Sequence, residues 1–252
     1  MKQIMARHTI FIVLTIIVII VTYPFLLVYY NTEKVWNFVR EDGFVENLQV
    51  LLDSLAACAF IYLFIKTKSD KNKFLFKTNR NYFFLLLGIF CIIILGEEIN
   101  WGQRLFSLNT PTWMIEKDMP EDINLHNQGP LFHIFGIPIT AARLYFPACI
   151  IYFLLIPILN HISKKANYFF NAIHLPIVPV FIAILFLANF SSWQFADQYL
   201  YNENKWLAFP GYAYGQTVME IYEIFFAILL FWSSLSFFSN IKKSKSDQSD
   251  NN

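Results

Sequence analysis

The chain has 252 residues, 56% of them hydrophobic, 19% aromatic and only 15% charged, with a mean hydropathy of +0.45. That balance excludes an ordinary soluble domain and points to a chain that lives in lipid. A net charge of +1 with no basic face argues against a nucleic-acid partner.

Taken in chain order, apolar segments are predicted near 8–30, 45–66, 82–99, 141–159, 174–193 and 216–238. Crossing a hydrocarbon core of roughly 30 Å takes about 20 residues at 1.5 Å rise each. The first segment carries no charge between Thr9 and Tyr30. It is too long for a signal peptide and no small-residue cleavage site follows it, so it is expected to be an uncleaved anchor. The expected fold is an all-α, polytopic membrane helix bundle of six transmembrane helices over residues 1–240, followed by a polar, disordered cytoplasmic tail over 241–252. With six spans, the termini and the loops near 66–81 and 160–173 share one side, and that side carries Lys and Arg in excess of about two to one. Both termini are therefore expected in the cytoplasm. Cys58, Cys91 and Cys149 all fall inside predicted spans, where they read as small packing residues rather than a disulfide framework or a metal motif.

The second segment carries Glu46, Gln49 and Asp53, at spacings of three and four that put them on one helical face. A charge near the bilayer centre costs roughly 2.5–3.5 kcal/mol, so this stripe is expected to face the bundle interior. Glu46 also suits a helix N-terminus, and Asp53 also suits a polar contact between helices. The sixth segment repeats the pattern with Glu220 near its start and Glu223 deeper.

Gly96-Glu97-Glu98-Ile99-Asn100-Trp101-Gly102-Gln103-Arg104 closes the third apolar run. If that helix runs outward, its C-terminal end carries the negative pole of the helix dipole, and two adjacent carboxylates there repel both each other and the backbone. A positive partner, Arg104 or a metal ion, or a captured proton is the expected remedy. Trp36, Trp101, Trp113, Trp206 and several tyrosines fall on the same outer side and read as an interfacial belt. The loop beyond carries Asn124-Leu125-His126-Asn127, which reads either as turn chemistry or as part of a site folded over the helix ends. His133 follows in a short apolar stretch expected to be interfacial or re-entrant. Asp197, just past the fifth segment, could join the same cluster or stay solvated.

Glu41-Asp42-Gly43 with Glu46, Gly96-Glu97-Glu98 through Trp101-Gly102-Gln103-Arg104, and Asn124-Leu125-His126-Asn127 together resemble a pattern in uncharacterised bacterial multi-pass membrane proteins, over roughly residues 40–130. The resemblance implies a protein of the bacterial inner membrane and transfers no chemistry.

Three function classes fit these residues. In the first, a metal-dependent enzyme works at the outer leaflet on a lipid or lipid-linked substrate. Glu46, Glu98, His126 and Glu223 would bind zinc, manganese or iron, and Glu97, Glu98 and His126 would do acid–base work. Gln103, Arg104, Trp101, Asn124 and Asn127 would hold the substrate, Arg104 by bidentate contact with an anionic head group. In the second, a transporter moves a proton or cation along a relay through Asp53, with Glu220 or Glu223. In the third, a scaffold uses the same polar groups only as interhelical contacts. Membrane lipids are the expected partners, and no protein partner is indicated.

Overall fold

The computed structural model describes residues 43–67, 74, 78–103, 106–112, 132–134, 137–201 and 211–249. The expected first span, Arg104, the 124–127 loop with His126, Glu41, Asp42, Trp36, Trp113 and Trp206 lie outside the described residues.

The described chain is helical apart from one short strand pair. Helix α1 is Phe44–Lys66 and α2 is Tyr82–Glu98. Strands β1 (Phe132–Ile134) and β2 (Ile137–Ile139) pair antiparallel with His133 opposite Pro138. Helix α3 runs over Ala141–Ile162, α4 over Lys164–Ala172, α5 over Val180–Phe195 and α6 over Gly211–Ser249. Among the described residues, four helices are long and apolar enough to cross a membrane: Phe44–Lys66, Ala141–Ile162, Val180–Gln198 and Thr217–Phe238. The protein is therefore membrane-embedded by length and composition. Helix α2, at 17 residues, is about 26 Å long and sits at the short limit for a span.

The sequence dictates where these helices start and stop. Asn81 caps α2 by accepting the Phe83 amide at 3.1 Å, and Ser163 and Thr140 cap α4 and α3 in the same way. Helix α3 contains Pro147 and Pro157, and between them the chain widens into a π-turn over Ile150–Leu155, where the Ile156 amide bonds to the Ile151 carbonyl. Pro157 has no amide to offer the preceding turn, which accounts for the shifted ladder. The fifth segment departs from expectation. Pro176 and Pro179 keep the chain out of a helix, so α5 begins at Val180 rather than near 174. The stretch around His133 forms one strand of the hairpin.

The chain divides into two compact units, one of residues up to Leu52 with Val178–Ser236, the other of Asp53–Ile177 with the chain from Phe237 onward. In the first, α5 and α6 run antiparallel. Phe181 meets Trp232 at 5.2 Å, Phe186 meets Phe226 at 6.0 Å, and Trp193 meets Tyr222 at 5.1 Å between ring centroids. The buried Asn189 side chain donates to the Tyr222 carbonyl at 3.0 Å inside this seam.

In the second unit, α1 and α2 form an antiparallel pair. Phe64 packs edge-on against Tyr82 at 5.1 Å, and Gly88 lets the helices approach so closely that a Cβ there would lie 3.0 Å from Ile61 Cγ1. Phe60 and Phe84 both contact the Phe237 ring, and Phe90 stacks on Tyr145 of α3 at 5.9 Å. The non-helical chain after α4 is held by side chains: Asn81 Nδ2 donates to the His174 carbonyl at 2.8 Å, and the Tyr152 hydroxyl donates to the Pro176 carbonyl at 2.7 Å. Carbonyls left without an intrahelical donor at membrane depth need such partners. Leu51, Leu55, Tyr62 and Ile65 on α1 and Leu86, Ile89, Ile92 and Ile93 on α2 are exposed apolar side chains.

Candidate functional site

The Gly96–Gln103 segment forms a tight helix-terminating turn. Helix α2 stops at Glu98, and Asn100 (φ 47°), Trp101 (φ 52°) and Gly102 (φ 85°) all take the left-handed conformation. That reversal swings the Trp101 indole back onto the helix end. Its Nε1 donates to Glu97 Oε1 at 2.7 Å, and its ring lies against Gly96, where a Cβ would be 3.0 Å from three ring carbons. Several residues of the motif thus have a local task. Gly96 leaves room for the ring, Glu97 accepts the indole hydrogen, Gly102 supplies the positive φ, and buried Asn100 begins the turn. Gln103 continues it, donating through Nε2 to Thr110 Oγ1 at 3.2 Å. Glu98 is the last residue of the helix and is half-buried. At the helix C-terminus Glu97 takes up a neutral indole N–H, a partner the sequence did not suggest.

The polar face of α1 is buried as expected. Glu46, Gln49 and Asp53 are 8%, 1% and 0% exposed, and the same stripe continues through Ala56, Ala57, Phe60 and Leu63. Asp53 sits about 10 Å along the axis from Glu46. Neither of its carboxylate oxygens has a hydrogen-bond partner among the described residues, and Gln49 Oε1, one turn earlier on the same helix, lacks one too. The Gly88 contact with Ala57 and Ile61 sets the register of α1 against α2. One turn beyond Gly88, the fully buried Cys91 falls opposite the α1 turn that begins at Asp53.

The remaining candidates are distributed. Glu220 and Glu223 lie half-buried on α6, flanking Tyr222, which is wholly buried. Glu46, Glu97, Glu98, Glu220 and Glu223 all engage neighbouring groups, in contrast to Asp53. Asp197 is half-buried in the wide turn Ala196–Tyr201. Among the described residues, no three His, Cys, Asp or Glu side chains are grouped to hold a metal ion. Of the expected ligands and substrate contacts, His126, Arg104, Asn124 and Asn127 lie outside the described residues.

Three residues with structural roles were missed from sequence. Asn189 is a lone amide in an apolar run, and its polar character inside a span was the available signal. Asn81 and Tyr152 together support the Pro-interrupted chain at 174–176, and the signal there was the proline spacing. No family model, no curated protein and no solved structure matches this chain.

Proposed function

We propose that this is a multi-pass membrane protein that takes up and releases a proton or a small cation at Asp53, as part of a transport or ion-coupled cycle. The observation that carries the reading is the Asp53 carboxylate, wholly buried in α1 with both oxygens unpartnered among the described residues. An ionised carboxylate in such surroundings costs several kcal/mol unless a counter-charge or a proton completes it. Intramembrane carboxylates so placed mark ion and proton paths. Gln49, on the same helix face, offers a further acceptor oxygen.

The outer-leaflet metal enzyme has weaker support. The indole bond gives Glu97 of the Gly-Glu-Glu motif a turn-forming task of its own, and no three His, Cys, Asp or Glu side chains are grouped for a metal among the described residues. Six spans, cytoplasmic termini and a bacterial inner membrane belong to the same proposal. They are supported by the Lys/Arg distribution and by the resemblance of residues 40–130 to bacterial multi-pass proteins.

The test is flux in proteoliposomes. Wild-type protein should pass protons or an alkali cation down an imposed gradient faster than empty vesicles do, Asp53→Asn should remove that flux, and Asp53→Glu should keep part of it. Flux identical in wild type and Asp53→Asn would refute the reading.

A further inference from the structure

Three contacts mark one level in the second unit. The Asn81 amide donates to Thr67 Oγ1, Asn81 Nδ2 donates to the His174 carbonyl, and Phe74 packs edge-on against the His174 ring. The end of α1, the start of α2 and the chain after α4 meet there. Lys66 and Arg80 lie over the Tyr62 and Phe64 rings at the same end, an arrangement suited to the edge of a hydrocarbon core.

Helix α3 does not stop at this level. From Tyr152, whose hydroxyl reaches the Pro176 carbonyl, it continues for about 15 Å to Ile162. The chain turns at Ser163, and α4 returns beside α3, with Asn167 Nδ2 donating to Asn160 Oδ1 at 3.0 Å. The α3–α4 hairpin therefore stands past the ends of α1 and α2, in the zone where lipid headgroups lie.

Its surface is unusual for a water-facing turn. Ile162 is 70% exposed, Tyr168 77% and Phe169 57%, and Lys164 and Lys165 are exposed beside them. At 100° per residue, Lys164, Tyr168, Ala172, Lys165 and Phe169 occupy one continuous side of α4, opposite the half-buried Ala166 and Phe170. Aromatic rings interleaved with lysines suit a headgroup layer, where the rings enter the acyl boundary and the ammonium groups reach the phosphates. The charge is one-signed, because no Asp or Glu occurs between Asp122 and Asp197. Lys164 and Lys165 also occupy the first turn of α4, where the helix dipole disfavours cations. An external anion offsets that repulsion.

We infer that the α3–α4 hairpin is a lipid-binding foot that seats Tyr168 and Phe169 in the membrane interface and holds the phosphates of anionic lipids with Lys164 and Lys165. The inference is independent of Asp53, and it assigns this surface to lipid rather than to a protein.

The test uses the full chain in lipid nanodiscs of phosphatidylcholine, with and without phosphatidylglycerol. Retention of phosphatidylglycerol is counted by native mass spectrometry, and hydrogen exchange is followed over residues 160–172. Wild type should retain phosphatidylglycerol and show slower exchange in this hairpin when that lipid is present. Lys164→Gln with Lys165→Gln should weaken retention about fivefold for each lysine, whereas the paired Lys→Arg variant should keep it. Equal retention by wild type and the paired Gln variant would overturn the inference. So would hairpin exchange that is indifferent to phosphatidylglycerol, or protection conferred only by a co-purifying acidic protein. Should the Gln variant fold poorly, the wild-type exchange comparison and the Arg variant still decide the matter.

Discussion

At the scale of single residues, the Glu97–Trp101 pair shows an indole N–H answering a carboxylate at a helix C-terminus. The indole hydrogen reaches Glu97 only because Asn100 and Trp101 adopt positive φ, which non-glycine residues seldom do. Trp101→Phe keeps a ring over Gly96 and deletes the N–H. It should lower the thermal stability of detergent-purified protein by about 1 kcal/mol, the usual size of one hydrogen bond, as read from the shift in unfolding midpoint. An unchanged midpoint would mean the bond contributes nothing. Gly102→Ala, at φ 85°, should cost a comparable amount through backbone strain. The sequence marked residues 96–104 as unusual because two carboxylates ended an apolar run. It did not show which group would answer them: Asn100 and Gly102 are residue types that favour a left-handed backbone, but nothing in the composition marks Trp101 for it. Trp101 was read as an interfacial aromatic or a substrate contact, and the structure adds that its indole folds back onto the helix end. Asn189 gives a second case. Its amide reaches a carbonyl of α6 in a buried seam, and Asn189→Leu should destabilise the fold by roughly 0.6–2 kcal/mol in the same assay.

At the scale of elements, the apolar runs located the helices, and prolines and glycines decided how they end and pack. The segments expected at 45–66, 141–159 and 216–238 correspond closely to spans at Phe44–Lys66, Ala141–Ile162 and Thr217–Phe238. The segment expected at 174–193 was displaced because hydropathy counts Leu175, Ile177 and Val178 as span, while Pro176 and Pro179 forbid the helix there. The cost of that interruption falls on two carbonyls, and Asn81 and Tyr152 meet it. Tyr152→Phe should leave the Pro176 carbonyl without its donor. Hydrogen exchange over residues 173–177 should then rise before global unfolding, and equal exchange in the two proteins would rule out that support. Gly88 makes the complementary point at the α1–α2 seam. A Cβ there already meets Ile61 Cγ1 at 3.0 Å, with the Ile61 amide nitrogen at 3.5 Å behind it, and Leu must push the helices apart. Gly88→Leu should lose about 1–3 kcal/mol, the range for overpacked cores.

At the scale of the whole molecule, four long apolar helices with exposed Leu, Ile and aromatic side chains make this a membrane-embedded protein. Within that setting most candidate carboxylates are already engaged, which leaves Asp53 as the group whose burial calls for a ligand. The spacing of Glu46, Gln49 and Asp53 made the inward-facing stripe legible, because a period of three and four permits only one helical face. What spacing could not reveal was that the described neighbours at Asp53 would supply no hydrogen-bond donor, since that depends on which residues of other helices fall opposite. The most direct measurement of the central claim is infrared difference spectroscopy on reconstituted protein, comparing acid with alkaline buffer and each with added alkali cation. The account predicts a carboxyl signal that changes with proton or cation supply and disappears in Asp53→Asn. Superimposable spectra from wild type and Asp53→Asn would contradict it.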